Sequence, residues 1–150
     1  MEIWELVARE QIRDTLCRYN SFGDRGMSVE YAAQFTEDGV LEIRDGIRAE
    51  GRDAIEEFLR GGVMAGSDRS RPAAERPLVR HHLSNVLFLE VSPDRARVIS
   101  YFLRLHRDWP EHWGLYRDLL VPAEGTWLIA HRFVSVDGEI LKHGSSLPQS

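Results

Sequence analysis

Arg80-His81-His82-Leu83-Ser84-Asn85-Val86-Leu87-Phe88-Leu89-Glu90-Val91 is the stretch on which the reading of this chain turns. It reads as the body of a long strand over 78–91, closed by a turn at Ser92-Pro93-Asp94. Alternate residues of a strand face one side. Val79, His81, Leu83, Asn85, Leu87, Leu89 and Val91 form one set, apolar except for His81 and Asn85. The other set, with Arg80, His82, Ser84 and Glu90, is wetter. An imidazole and an amide therefore stand on a face that otherwise wants a core, and a buried polar group needs a partner.

Working outward, the chain after this strand predicts three more, over about 95–107, 112–121 and 126–136, with Asp108, Trp109 and Pro110 breaking the pattern between the first two. Short turns between long strands imply antiparallel neighbours. Before it lie helices. Ala8, Ile12, Leu16 and Tyr19 form one helical stripe, predicting a helix over 3–22 that Gly23 stops. Ser28 is a candidate N-cap for a short helix through Tyr31, Ala32 and Phe35. A strand over 40–44 and the Asp45-Gly46 turn predict a hairpin into 47–50. A third helix opens at Gly51-Arg52-Asp53 with Ala54, Ile55, Phe58 and Leu59 as its buried stripe. Residues 61–77 have no period and read as a long loop, a candidate lid. Helices first and strands after argue α+β. The expected architecture is a cone-shaped α+β barrel, with three helices on a strongly curved, mainly antiparallel sheet around a pocket. Residues 1–142 form the expected single domain and 143–150 a tail.

The 150 residues suffice to bury a core without a disulfide or metal staple, and the lone Cys17 rules out an intramolecular disulfide. No apolar run approaches a membrane span, and the start Met1-Glu2-Ile3-Trp4-Glu5 lacks the basic opening of a signal peptide. The net charge of -5 disfavours nucleic acid. Arg69, Arg71, Arg76 and Arg80 are the one basic cluster and read as a solvated loop. The expectation is a soluble cytoplasmic protein that binds neither nucleic acid nor membrane. Its histidines, at 81, 82, 106, 112, 131 and 143, show no metal-ligand spacing, and there is no phosphate loop or Gly-x-Ser-x-Gly. No metal and no cofactor are expected.

Four short motifs then stand in a recognisable order: Tyr19-Asn20-Ser21-Phe22-Gly23-Asp24, Phe35-Thr36-Glu37-Asp38-Gly39-Val40, His81-His82-Leu83-Ser84-Asn85, and Gly125-Thr126-Trp127 with Arg132 five residues after the tryptophan. In this order the chain resembles the SnoaL-like branch of the nuclear-transport-factor-2-like superfamily. That branch includes scytalone dehydratase, bile acid 7α-dehydratase and hexachlorocyclohexane dehydrochlorinase, which are cofactor-free lyases using an Asp-His pair. It also includes polyketide cyclases, isomerases and binding modules. The resemblance implies that Asp24 and His81 are the pair and Tyr19 the accompanying tyrosine. Tyr116 falls where scytalone dehydratase has a substrate-binding asparagine. The strand 40–44 lacks the tyrosine that holds the reacting water there, which argues against a scytalone-type substrate.

A histidine suits general-base work near neutral pH, and a carboxylate on its second nitrogen stabilises the imidazolium that forms. The catalytic candidates are His81 as base, Asp24 as its orienter and Tyr19, which donates or positions; the acid half comes from Tyr19 or from His81 once it has taken the proton. Asn85, Tyr116, Phe102, Arg104, His106 and Trp109 are the substrate-binding candidates, with His112 and Trp113 sharing an aromatic rim with Trp109. Glu42 and Asp118 are further acids. Each has a bland alternative: Tyr19 lies on the core stripe, Asp24 suits a turn, and His106 and Arg104 suit an exposed strand end. His82, facing away from His81, reads as surface.

Two functions remain open at this point. One is a cofactor-free dehydratase, cyclase or isomerase for a hydrophobic polyketide-, terpenoid- or aromatic-like molecule. The other is a non-catalytic binding or assembly module, which a pocket below about 300 Å³ or a distant Asp24 would favour. Phe88, Trp113 and Trp127 on an outer sheet face predict a homo-oligomer, dimer or trimer.

Overall fold

The computed structural model describes residues 1–63, 78–106 and 109–140. Three helices, α1 (Ile3–Arg25), α2 (Ser28–Ala32) and α3 (Arg52–Phe58), pack against one face of a six-stranded sheet. Its strands are β1 (Phe35–Ile43), β2 (Arg48–Glu50), β3 (Val79–Val91), β4 (Ala96–His106), β5 (Trp109–Ala123) and β6 (Thr126–Glu139), in the spatial order β2-β1-β6-β5-β4-β3. Among the described residues only the β1–β6 pairing is parallel. The fold is α+β and the sheet is mixed, with open edges at β2 and β3, so it is not a closed barrel.

The α1 stripe is buried as its spacing requires, with Ile12 and Leu16 fully enclosed beside Phe35, Ile129 and Leu120. The stripe is wider than the apolar residues alone indicate. Thr15 is buried too, and its hydroxyl donates to the Trp127 carbonyl at 2.6 Å, tying the helix to β6. Gly23 does not stop the helix. The helix runs to Arg25 and ends at Gly26, which adopts φ 65°. There the Gly26 N–H reaches the Gly23 carbonyl and the Met27 N–H reaches the Phe22 carbonyl, a Schellman closure that needs a residue tolerant of the left-handed region. Asp24 therefore sits in the last helical turn. Gly23 lies inside the helix because Tyr31 packs against it: a Cβ there would lie 3.3 Å from the Tyr31 ring.

Other boundaries move as well. Phe35 belongs to β1, which pairs it with Ile129, and not to α2. Ala54 is exposed, so the buried side of α3 rests on Ile55 and on Leu59, the first residue of the single π turn Leu59–Val63. β5 begins at Trp109. Pro110 is tolerated there because the β4–β5 register shifts beside it, between Arg104 and Leu105. The remainder of the candidate lid, 64–77, and the tail 143–150 lie outside the described residues.

β3 departs most from its expected reading. From Ser84 to Leu87 it takes three steps while β4 takes two, from Tyr101 to Ile99. The extra residue is a bulge, and Asn85 in it has φ 51°. The alternation reverses there. Val79 and Leu83 face the core before it, Val86 and Phe88 after it, and Leu87 and Leu89 are exposed. A second shift between Phe88 and Glu90 returns Val91 to the core side. Phe88 is thus not an outer-face residue: the Arg9 and Arg13 guanidinium groups of α1 lie 4.5 and 4.8 Å from its ring centroid. Trp127 is buried, while Trp113 is exposed as expected.

Candidate active site

The end of α1 and the start of β3 meet at Asp24 and His81. One Asp24 carboxylate oxygen lies 2.5 Å from His81 Nδ1, and the other accepts from the His81 backbone N–H at 2.8 Å. The side chains of His81 and Asp24 are only 12% and 8% exposed, so the contact is shielded from bulk water. With Nδ1 on the carboxylate, Nε2 is the nitrogen left for a ligand. The double grip fixes both the ring and the strand that carries it.

His81 forms part of the wall of a cavity of about 120 Å³. Its floor is aromatic: Tyr19 from α1, Tyr31 from α2, Phe102 from β4 and Tyr116 from β5. Leu41, Ile43, Phe58, Leu59 and Val134 line the cavity as well. Phe102 and Tyr116 stack at 4.6 Å with their planes 16° apart. The Tyr31 hydroxyl donates to Tyr19 Oη at 2.7 Å. Tyr116 donates to Asn20 Oδ1 at 3.4 Å, and Asn20 also lines the cavity.

Beneath these rings lies Arg132, wholly buried, its guanidinium carbon 4.0 Å from the ring centroids of both Tyr19 and Tyr116. It donates twice to the Asp118 carboxylate, at 2.7 and 2.8 Å. Burial works against its charge, but Asp118 outweighs burial and holds the group protonated. Burial likewise pushes the Tyr19 phenol up, while Arg132 draws it partly back. Tyr31 and Tyr116 are pushed well above the ordinary phenol range, chiefly by burial. All three phenols are therefore protonated at neutral pH.

Of the residues expected at the site, the structure brings together His81, Asp24, Tyr19, Phe102, Tyr116 and Arg104. Arg104 is ion-paired with Glu111. Three others stand elsewhere. Asn85 is exposed on the bulge, because the extra residue breaks the alternation that would have placed it beside His81. His106 and Trp109 face each other across the β4–β5 pair, ring centroids 4.6 Å apart, and neither lines the cavity. His112 does line it, with its ring 5.8 Å from that of Phe102. Burial, then the neighbouring Arg104, lowers its pKa below the ordinary imidazole value. Expected in an aromatic rim with Trp109 and Trp113, His112 alone of these three lines the cavity, on the same face of β5 as Tyr116. His82 is exposed.

Among the described residues no group of three or more His, Cys, Asp or Glu side chains is placed to hold a metal ion. No described helix is long and apolar enough to cross a membrane.

Solved structures extend this picture. A provisionally assigned scytalone dehydratase from Novosphingobium aromaticivorans is 27% identical, with a TM-score of 0.75 over 94% of this chain and 91% of that one. A protein of Catenulispora acidiphila in complex with S-DNPA is 25% identical, with a TM-score of 0.71 over 86% of this chain and 92% of that one. An NTF2-like protein with a cystatin-like fold, also from Novosphingobium aromaticivorans, shares the fold at 20% identity, with a TM-score of 0.72 over 89% of this chain and 85% of that one. No curated protein matches the sequence. The model of the SnoaL-like domain matches residues 4–133, and with that the chain belongs to the SnoaL-like family.

Proposed function

We propose that this protein is a cofactor-free acid/base enzyme, a dehydratase, cyclase or isomerase, acting on a hydrophobic ring-bearing small molecule. The observation behind this is the two-point grip of Asp24 on His81 at the wall of an aromatic cavity. A histidine held by a carboxylate on Nδ1 presents a basic Nε2 and keeps its imidazolium stable. His81 takes a proton from carbon beside a carbonyl or an electron-withdrawing ring. In an elimination the C–O bond then breaks with its electron pair on oxygen. That oxygen takes the Tyr19 proton and leaves as water, and the proton on His81 restores Tyr19 before the next turnover. Phe102 and Tyr116 line the space for the ring, and Arg104 and His112 stand on the same wall. The likeness to a provisionally assigned dehydratase and to a structure holding S-DNPA supports a small-molecule ligand.

The test does not depend on which substrate is the natural one. Deuterium exchange beside the carbonyl of one-ring ketones in D2O, followed by NMR, reports base catalysis directly. Wild-type protein accelerates exchange over buffer, His81→Ala returns it to the buffer rate, and Asp24→Asn falls between. Equal rates for wild type and His81→Ala would sink the reading.

One observation favours a second reading, a non-catalytic binding module. The cavity of about 120 Å³ is below the roughly 300 Å³ of drug-sized sites. It is close to the roughly 150 Å³ of an apolar cavity that accepts benzene, so one ring fits inside. Tight binding of such rings with no exchange would identify this module. We also propose that copies associate through the sheet face away from the helices, where Leu87, Leu89, Tyr101 and Trp113 are exposed. A monomer by light scattering would refute that.

A further inference from the structure

Three phenols share the floor of the cavity, and the reaction proposed above uses only Tyr19 as an acid, the one to which Tyr31 is bonded. Tyr31 and Tyr19 are 4% and 7% exposed, with ring centroids 4.5 Å apart and hydroxyls in a 2.7 Å hydrogen bond. A hydroxyl carries one proton and two lone pairs. A pair of bonded phenols therefore shares one proton between its oxygens and directs the other away. Charge decides which phenol owns the outward proton. The Arg132 guanidinium stacks on the ring of Tyr19. A cation favours the oxygen that is losing its proton, so Tyr19 gives and Tyr31 donates into it.

We propose that Tyr31 is a positioning residue: its hydroxyl donates to Tyr19 Oη, leaves the Tyr19 proton for a ligand oxygen and steadies the phenolate that remains. This rests on Tyr19 being the acid of the reaction above. The chain is built to admit Tyr31. Glycine is a poor residue inside a helix, yet Gly23 sits inside α1, where a Cβ would crowd the Tyr31 ring at 3.3 Å. Burial pushes both phenols up, and Arg132 draws each partly back. The ligand class that follows is a single ring bearing a carbonyl or phenolic oxygen that can take negative charge.

The probes are 4-nitrophenol and the ring-matched 4-nitrotoluene, with binding followed by titration calorimetry on wild type, Tyr31→Phe, Tyr19→Phe and the double variant. Each substitution keeps the ring, and melting curves report folding. Wild type binds both probes. Tyr31→Phe weakens 4-nitrophenol about tenfold, the worth of a hydrogen bond to a charged oxygen, and leaves 4-nitrotoluene unchanged. Adding Tyr31→Phe to Tyr19→Phe weakens 4-nitrophenol no further, because the two act as one unit. If Tyr19→Phe loses 4-nitrophenol affinity and Tyr31→Phe keeps it, the inference falls while the role of Tyr19 stands. Equal losses for both probes in Tyr31→Phe reduce it to packing and also overturn the inference. If Tyr19→Phe changes nothing, or wild type binds no 4-nitrophenol, the oxygen site and the inference fall together.

Discussion

Two carboxylates sit beside cationic or basic partners in this core, and they are held very differently. Asp118 and Arg132 are both wholly enclosed, joined by two hydrogen bonds, with the guanidinium further confined between two tyrosine rings. Asp24 and His81 are nearly as buried, but the imidazole borders a cavity and one carboxylate oxygen holds backbone instead of a ring. The first pair has no second state available: arginine does not give up its proton, and nothing else can reach it. In the second pair the carboxylate holds Nδ1 and the backbone, and Nε2 is left for a ligand. Burial alone does not mark a reactive pair. The proposed function rests on what the second pair has besides burial, which is an imidazole nitrogen facing open space.

The comparison breaks most visibly at Asp118. Asp118→Ala leaves an uncompensated guanidinium in the core and should cost about 3–5 kcal/mol of stability, read from urea unfolding. Replacing both members by apolar residues, Asp118→Leu with Arg132→Met, should recover most of that loss. Recovery would show that the pair serves packing and not a charge the fold needs. His81→Ala gives the opposite pattern. Ketone deuterium exchange should fall about 10²- to 10⁴-fold, while stability falls by only about 1 kcal/mol, because the Asp24 carboxylate keeps its bond to the backbone of residue 81. If His81→Ala unfolds the protein as severely as Asp118→Ala, the two pairs are alike and both are structural.

A smaller effect comes from His112, which shares the cavity with His81. Its folded pKa is lowered by burial and then by Arg104, so the folded state holds it neutral while the unfolded chain protonates near pH 6.5. A lowered pKa makes the unfolded state bind more protons as pH falls. The His112 contribution to stability is therefore complete above about pH 6.5 and is lost as pH falls through its folded value. Unfolding titrations at a series of pH values should show this loss in wild type and a shallower slope in His112→Gln. Least of all should change at Asn85. It is exposed with φ 51°, so Asn85→Gly should stay within about 0.5 kcal/mol of wild type and leave ketone exchange intact. Loss of exchange in Asn85→Gly would return that amide to the site.

How much of this was legible in the sequence differs from residue to residue. The α1 stripe and the inward face of His81 followed from periodicity alone. Asp24 as its partner did not: nothing local distinguishes it from a turn residue, and only the resemblance pointed to it. Gly23 passes for a helix stop because a glycine inside a helix is explained by what packs on it, here Tyr31, which lies eight residues on. Asn85 is misplaced by period-two counting, which assumes an unbroken ladder. Asparagine is one of the few residues that visit the left-handed region readily, and that was the one available hint. Trp109 and Pro110 pass for a break because β5 is extended there by pairing with β4, a tertiary effect no local pattern carries. Arg132 is visible as part of a motif, but its place between two tyrosines depends on three elements meeting.

The bulges of β3 also bear on what the molecule avoids. β3 is the long outer strand of an open sheet, and Leu87 and Leu89 are exposed along it. A flat apolar edge of that length invites another chain to add a strand, the first step of cross-β aggregation. The extra residues between Ser84 and Leu87 and between Phe88 and Glu90 interrupt and twist that edge, so no long regular row of donors and acceptors is offered. The opposite edge is guarded by brevity, since β2 has only three residues. The irregularity that turns Asn85 away from the cavity is thus the one that keeps this edge from recruiting its own kind.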